Sequence, residues 1–232
     1  ASFKLALQRG ADSIEGDFRL TKDGHIVCIH DRDGLRTLGK DKGVIADSTL
    51  RELRRLDAGE WKGKAWKGEK IPTLIEVFDL LPEERSLFLE VKCGPEIVPY
   101  LEKLFRDRGM PAAQVTLISY DKEVIRRYKT VLPDFPAFWI TKFKRQLGVT
   151  GKLSPSAEEI IATLRDIGAD GLDCNADPRL GPEFAEKLRA AGFSFHVWTI
   201  NDAQTARKFI GLGVNSITTD RPGWLREQLQ NQ

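Results

Sequence analysis

Three carboxylates, a lysine and a histidine lie where apolar runs end, and their types and spacing are what chemistry needs. Glu15 and Asp17 are two apart in the run Ser13–Leu20, so a strand there projects both to one face. Apolar Ile14 and Phe18 bracket them, which sets the pair apart from ordinary surface alternation. Glu90 ends the run Leu87-Phe88-Leu89, and Lys92 follows on the same face. Charges at the end of a buried strand are costly without partners. A Glu–Lys salt bridge and a metal-facing carboxylate would each meet that demand. Glu15, Asp17 and Glu90, from two strand ends, form a candidate hard-cation site, and oxygen ligands suit Mg²⁺ or Ca²⁺ better than zinc.

His30 follows Ile26-Val27-Cys28-Ile29 and precedes Asp31, in the same stretch of chain as Glu15 and Asp17, where a histidine can move protons. His196 lies inside Phe195-His196-Val197-Trp198 and reads as structural, while His25 follows an Asp-Gly turn and reads as solvent-facing. Trp198, Asn201 and Asp220 fall at or just beyond strand ends. Trp198 suits a pocket wall or a core position equally, and Asn201 and Asp220 suit helix caps equally well.

The elements that position these residues alternate nearly to the end of the chain. A helical run, Ser2–Arg9, stops at Gly10. Ser13–Leu20 and Ile26–His30 flank Asp23-Gly24 and form a hairpin or a long bent strand. Strand-type runs then recur at Ser86–Val91, Val115–Ser119, Ala137–Thr141, Gly171–Cys174, Phe193–Thr199 and Ser216–Thr219, with amphipathic helical runs between them. Gly109, Gly168, Gly192 and Gly213 mark the helix-to-strand joints. Repeated βα units imply a parallel sheet with right-handed crossovers. The spacing predicts a TIM (β/α)8 barrel whose first strand is absent from residues 1–232, because a leading helix and seven strand positions are present. An open doubly wound sheet competes less well, since no glycine-rich nucleotide loop follows the first strand. Residues 31–72 interrupt the rhythm with a small insertion, where Asp47-Ser48-Thr49 caps a short helix that carries Leu50, Leu53 and Leu56. Long βα loops sit over barrel active sites, so the chain reads as one barrel domain carrying this insertion on its active-site face.

Composition narrows the function further. With 41% hydrophobic and 30% charged residues, the chain can bury a core and is too apolar for disorder. A net charge of +2, with both signs interspersed, argues against nucleic acid as a partner. Lys62, Lys64, Lys67 and Lys70, interleaved with Trp61 and Trp66, read as a solvated loop rather than an anion trap. Cys28, Cys93 and Cys174 are too scattered for a disulfide framework and read as small buried hydrophobes. With no signal segment in view, they favour the cytoplasm. No apolar stretch is long enough to span a membrane, so no stable membrane insertion is expected. The sequence leaves the oligomeric state open.

Four ordered stretches resemble the glycerophosphodiester phosphodiesterase family. They are Gly10-Ala11-Asp12 through Ile14-Glu15-Gly16-Asp17 to Leu20-Thr21-Lys22-Asp23-Gly24; Ile29-His30-Asp31; Val44 through Leu56-Asp57-Ala58-Gly59 to Ile71-Pro72-Thr73-Leu74; and Leu89-Glu90-Val91-Lys92. Ser119, Val197-Trp198-Thr199-Ile200-Asn201 and Thr218-Thr219-Asp220-Arg221-Pro222 agree more weakly. The resemblance implies a barrel enzyme that hydrolyses glycerophosphodiesters to sn-glycerol 3-phosphate and an alcohol. It implies a divalent cation, Mg²⁺ or Ca²⁺, held by Glu15, Asp17 and Glu90, and His30 as one of a catalytic histidine pair. Lys92 would face the substrate phosphate, and Trp198 would line the glycerol side. The family's opening His-Arg-Gly and Glu-Asn-Thr motifs have no counterpart here, and neither His25 nor His196 replaces the first histidine by position. The expectation is an N-terminal segment cut from this sequence, with residues 1–232 alone poorly stable and essentially inactive. Rival readings are a lysophospholipase D or sphingomyelinase D-like barrel lyase, and a non-catalytic barrel that binds phosphodiesters.

Overall fold

A computed structural model describes residues 1–38, 43–143 and 154–230. The chain divides into two compact units, Ala1–Leu7 with Asp12–Thr116 and Gln8–Ala11 with Leu117–Gln232. The helix Ser2–Gln8 opens the chain and gives way at Gly10, whose φ of 81° suits glycine and strains other residues.

In the first unit, β1 (Ser13–Leu20) buries Ile14, Gly16 and Phe18 on one face and holds Glu15, Asp17 and Arg19 half-buried on the other. A Cβ on Gly16 would come within 2.9 Å of the Phe3 ring, so the absent side chain is what lets the first helix lie against β1. The Asp23-Gly24 turn resolves to a hairpin. β2 (Ile26–Cys28) runs antiparallel to β1, with Phe18 opposite Cys28 and Leu20 opposite Ile26. The ladder ends at Cys28, short of the expected His30, although the Ile29 N–H still donates to the Asp17 carbonyl at 2.8 Å. β3 (Ser86–Val91) pairs in parallel with β1, placing Glu90 directly beside Asp17. The order within this unit is β2-β1-β3, continued by the first residues of β4 (Val115–Ser119).

The insertion has a small core of its own. Leu38, Ile45, Leu53 and Ile71 pack with Val27 and Ile29 of the hairpin, and Leu50, Leu56 and Ala58 close over them. Thr49 and Glu52 form a reciprocal capping box at Leu50–Leu53, and Thr73 and Glu76 form another at Leu74–Phe78. The Asp57 carboxylate accepts from the Gly59, Glu60 and Gly68 N–H groups at 2.8, 2.9 and 2.6 Å and so staples the loop between them. Lys62, Lys64, Lys67 and Lys70 are exposed, as a solvated loop requires. Residues 39–42 of the insertion lie outside the described residues.

The second unit orders its strands β4, β5 (Ala137–Thr141), β6 (Gly171–Asn175), β7 (Ser194–Trp198) and β8 (Ser216–Ile217), each parallel to the next. Helices Lys122–Val131, Ala157–Ile167, Pro182–Ala190 and Ala203–Gly211 supply the connections. Asp121, Ser156 and Asp202 cap three of them through their side chains. The glycine-containing loop expected after β5 falls mostly on residues 144–153, outside the described residues. No helix among the described residues is long and apolar enough to cross a membrane.

Candidate active site

The first unit brings five of the six expected site residues into one stretch of strand ends. Glu15 and Asp17 alternate with the buried positions of β1, and the β1–β3 register sets Glu90 beside Asp17. As a result Glu15, Asp17 and Glu90 each place a carboxylate oxygen within 4.8 Å of the others. Two oxygens on opposite sides of a Ca²⁺ ion are about 4.6–5.2 Å apart, so the spacing suits a hard divalent cation. The donor set is oxygen only, the chemistry such cations require. Glu15, Asp17 and Glu90 therefore fit a hard divalent cation.

Lys92 lies just past the end of β3. Its ammonium stands 2.5 Å from Glu90 and 3.2 Å from Asp17. The Glu–Lys salt bridge that one reading of the sequence expects is therefore present. Glu90 is only 9% exposed, and burial pushes its pKa up despite the opposing hydrogen bond and charge of Lys92. Burial alone would lower the pKa of Lys92. The hydrogen bond and charge of Glu90, with the charge of Asp17, outweigh it, and the net direction is upward. The lysine thus stays a cation among carboxylates.

His30 projects into solvent beyond β2, with its side chain 58% exposed. Its Nδ1 lies 2.7 Å from the Asp31 carboxylate, whose other oxygen accepts from Arg36 Nε at 2.6 Å. Arg36 and then His30 hold the Asp31 carboxyl below the usual carboxylate range. The arginine in turn sits 5.3 Å from the centre of the Trp61 ring. An imidazole anchored at Nδ1 and open at Nε2 is arranged to pass a proton.

Arg19 went unremarked in the sequence. It shares the face of Glu15 and Asp17, and its guanidinium bonds the backbone carbonyls of His30 and Lys92. Burial draws its pKa down, against the charges of Cys93, Asp17 and Asp31. Period-two alternation did signal the shared face. The tertiary contacts had no local signature.

In the second unit, Trp198 ends β7 half-buried, and Lys142 Nζ lies 5.0 Å from its ring centre and 5.8 Å from that of Tyr120. Neither Lys142 nor Tyr120 was singled out in the sequence. Asn201 is not a cap. Its amide donates to the Asp220 carboxylate at 2.6 Å and its oxygen accepts from the Asp220 N–H and the Thr219 hydroxyl, while Asp202 caps the helix. His196 is structural in its setting: it is 7% exposed, stacks on Phe138, and has Nδ1 2.7 Å from the Ser216 hydroxyl. Burial lowers its pKa to about 4. His25 is half exposed in the hairpin turn. Cys174 is buried and Cys28 and Cys93 partly so. Burial raises all three thiols, Cys93 to about 11, so none offers a thiolate nucleophile at neutral pH.

Parallel strands β1 and β3 that carry carboxylates and an ammonium, with an anchored histidine just beyond the antiparallel β2, carry the equipment of a phosphoric-diester hydrolase. The chain belongs to the Glycerophosphoryl diester phosphodiesterase family, whose sequence model matches residues 1–224. It is 31% identical over 227 residues to the glycerophosphodiester phosphodiesterase of Caldanaerobacter subterraneus subsp. tengcongensis, across 96% of this chain and 87% of that one. Among solved structures it is similar to an Oleispira antarctica phosphodiesterase in complex with the product sn-glycerol-3-phosphate. The TM-score is 0.84 at 24% identity, with 99% of this chain and 89% of that chain covered. It is also similar to a glycerophosphodiester phosphodiesterase from Agrobacterium tumefaciens str. C58, at TM-score 0.77 and 25% identity over 96% and 90% of the two chains. The fold is the TIM barrel of this family, and the chain is a hydrolase.

Proposed function

We propose that the protein hydrolyses glycerophosphodiesters to sn-glycerol 3-phosphate and an alcohol, at the strand ends that carry Glu15, Asp17, Glu90, Lys92 and His30. The observation that carries the reading is the convergence of the three carboxylates within 4.8 Å, in a chain of this family. Glu15, Asp17 and Glu90 hold the divalent cation, Mg²⁺ or Ca²⁺. When bound, such an ion neutralises charge on the non-bridging phosphoryl oxygens. Lys92 is placed to add a second positive charge there, swinging from its carboxylate partners to the phosphate. His30, held at Nδ1 by Asp31, moves a proton through Nε2. One P–O bond forms to the nucleophile and one breaks to the departing alkoxide. The proton lost by the nucleophile and the proton gained by the alkoxide balance. Water and the neighbouring glycerol hydroxyl both satisfy this scheme as nucleophile.

The resemblance assigns Trp198 to the glycerol side of the substrate. The unbroken match over residues 1–224 supports reading the chain as one barrel domain with 31–72 as its insertion. Three free cysteines support a reducing, cytoplasmic setting.

The test is release of glycerol 3-phosphate from glycerophosphocholine by the purified protein, with Mg²⁺ or Ca²⁺ and with chelator. Cation-dependent release that His30→Ala and Glu15→Ala each abolish is the expected result. A folded, cation-loaded protein that releases none, yet cleaves lysophospholipids or yields a cyclic phosphate as end product, would establish the lyase-like alternative instead.

A further inference from the structure

His30 and Lys92 stand just outside regular structure. β2 ends at Cys28 and β3 ends at Val91, so no ladder holds either residue in full. Their approaches are still tied to β1 on the N–H side: Ile29 donates to the Asp17 carbonyl at 2.8 Å, and Lys92 donates to the Phe18 carbonyl at 2.9 Å. The His30 and Lys92 carbonyls are both taken by Arg19. Its Nε and Nη2 reach the His30 carbonyl at 3.1 and 2.9 Å, and its Nη1 reaches the Lys92 carbonyl at 2.6 Å. A planar guanidinium offers these donors in a fixed fork, whereas a lysine ammonium is a single flexible point.

We propose that Arg19 is a positioning residue: it clamps the His30 and Lys92 backbones to the strand that carries Glu15 and Asp17, and so fixes the distance between the proton-moving group and the phosphate-facing charge. The assignment of roles to His30 and Lys92 rests on the proposed function; the clamp itself does not. Arg19 touches no reacting atom. It acts through two carbonyls on opposite flanks of its own strand, so loosening it frees both segments together. Asp31 and Arg36 orient the His30 ring but leave its backbone to Arg19.

The experiment compares Arg19→Lys and Arg19→Met with the unaltered protein, all loaded with Mg²⁺ or Ca²⁺. Steady-state turnover of glycerophosphocholine is measured together with ¹⁵N spectra of the His30 imidazole. The clamp predicts that both variants remain folded, that kcat falls about 10- to 100-fold, and that KM changes by less than about threefold. It also predicts a displaced or broadened His30 imidazole signal in both. Were Arg19 merely a stabilising residue, the melting temperature would drop while the folded fraction kept its kcat and its His30 signal, which would overturn the proposal. If Arg19→Lys matches the unaltered protein in kcat and in the His30 signal, the fork is unnecessary and the proposal is wrong. If the unaltered protein turns over no glycerophosphodiester, the proposed function fails. The His30 signal then still decides the clamp: unchanged in Arg19→Met refutes it, displaced supports it. Should Arg19→Met fail to fold, Arg19→Lys alone carries both readouts.

Discussion

Replacing Lys92 with Met removes an ammonium from between two carboxylates while keeping the buried stem, so it tests whether this cluster is built for a cation. The side chains of Lys92, Glu90 and Asp17 are 17, 12 and 24% exposed. Breaking one partner out of a buried ion pair costs about 3–5 kcal/mol, and the residual solvent access here brings the expectation to about 2–3 kcal/mol. A chain of this size loses roughly 2–4 °C of melting temperature per kcal/mol, so Lys92→Met melts about 5–10 °C lower in chelator. Divalent cation changes the comparison. With the ammonium gone, nothing competes for the carboxylates, and an ion at about 100 times its Kd adds about 2.7 kcal/mol to the folded state. Thermal unfolding by circular dichroism, with chelator and with millimolar Ca²⁺ or Mg²⁺, reads both effects. The gap between Lys92→Met and the unaltered protein is expected to close in cation. A Lys92→Met melting temperature that does not rise in cation means the carboxylates do not hold the ion. No gap in chelator means the ammonium does not compensate them, and the account of the cluster as a charge-balanced site is refuted.

Burial of His196 makes stability depend on pH. Its folded pKa is about 4, against an ordinary value of 6.5, so between these values the unfolded chain binds a proton that the folded chain does not. Stability from this group is therefore complete above pH 6.5 and is lost as pH falls towards 4, by about 3 kcal/mol at most. Denaturant unfolding at pH 7 and pH 4.5 should show that loss, and His196→Gln should show less of it. Asp31→Asn weakens the anchor on His30 Nδ1 and is expected to lower kcat about 10- to 100-fold. Calorimetric affinity for the cation should stay within about twofold of the unaltered protein, because Asp31 lies outside the carboxylate cluster; a large affinity loss would count against that separation. In Gly59→Ala the new Cβ would sit 1.9 Å from the Trp66 carbonyl oxygen, so backbone must move. The expected cost is about 1–3 kcal/mol, with faster proteolysis between Asp57 and Glu69; an unchanged melting temperature would show that the loop adapts.

Sequence carried the fold furthest where a single element settles its own pattern. Alternation in Ser13–Leu20 places Glu15, Asp17 and Arg19 on one face whatever lies beside the strand. Thr49 with Glu52 and Thr73 with Glu76 announce helix starts within four residues of chain. Boundaries were less legible. Ile26–His30 reads as one run, but the chain leaves the β2 ladder after Cys28, whose N–H donates to the Pro72 carbonyl from the far end of the insertion at 2.8 Å. No local pattern specifies a partner so distant in sequence.

The same distinction separates the parts of the site. Chemistry at a position is written in residue type, so carboxylates, lysine and histidine at the ends of apolar runs could be picked out one by one. Relations between positions are written in strand register. Asp17 meets Glu90 only because β1 and β3 pair in parallel at that offset; a slip of one residue would turn one of the two carboxylates to the other face. Arg19 shows the consequence. Its type and place read as one more half-buried charge on β1, and its bonds to the His30 and Lys92 carbonyls span 11 and 73 residues of sequence. A strand residue that reaches the flanks on both sides is visible only once those flanks are in place. In a parallel sheet, then, the residues that supply reactivity can be found from one strand at a time, whereas those that position them require the pairing of neighbouring strands.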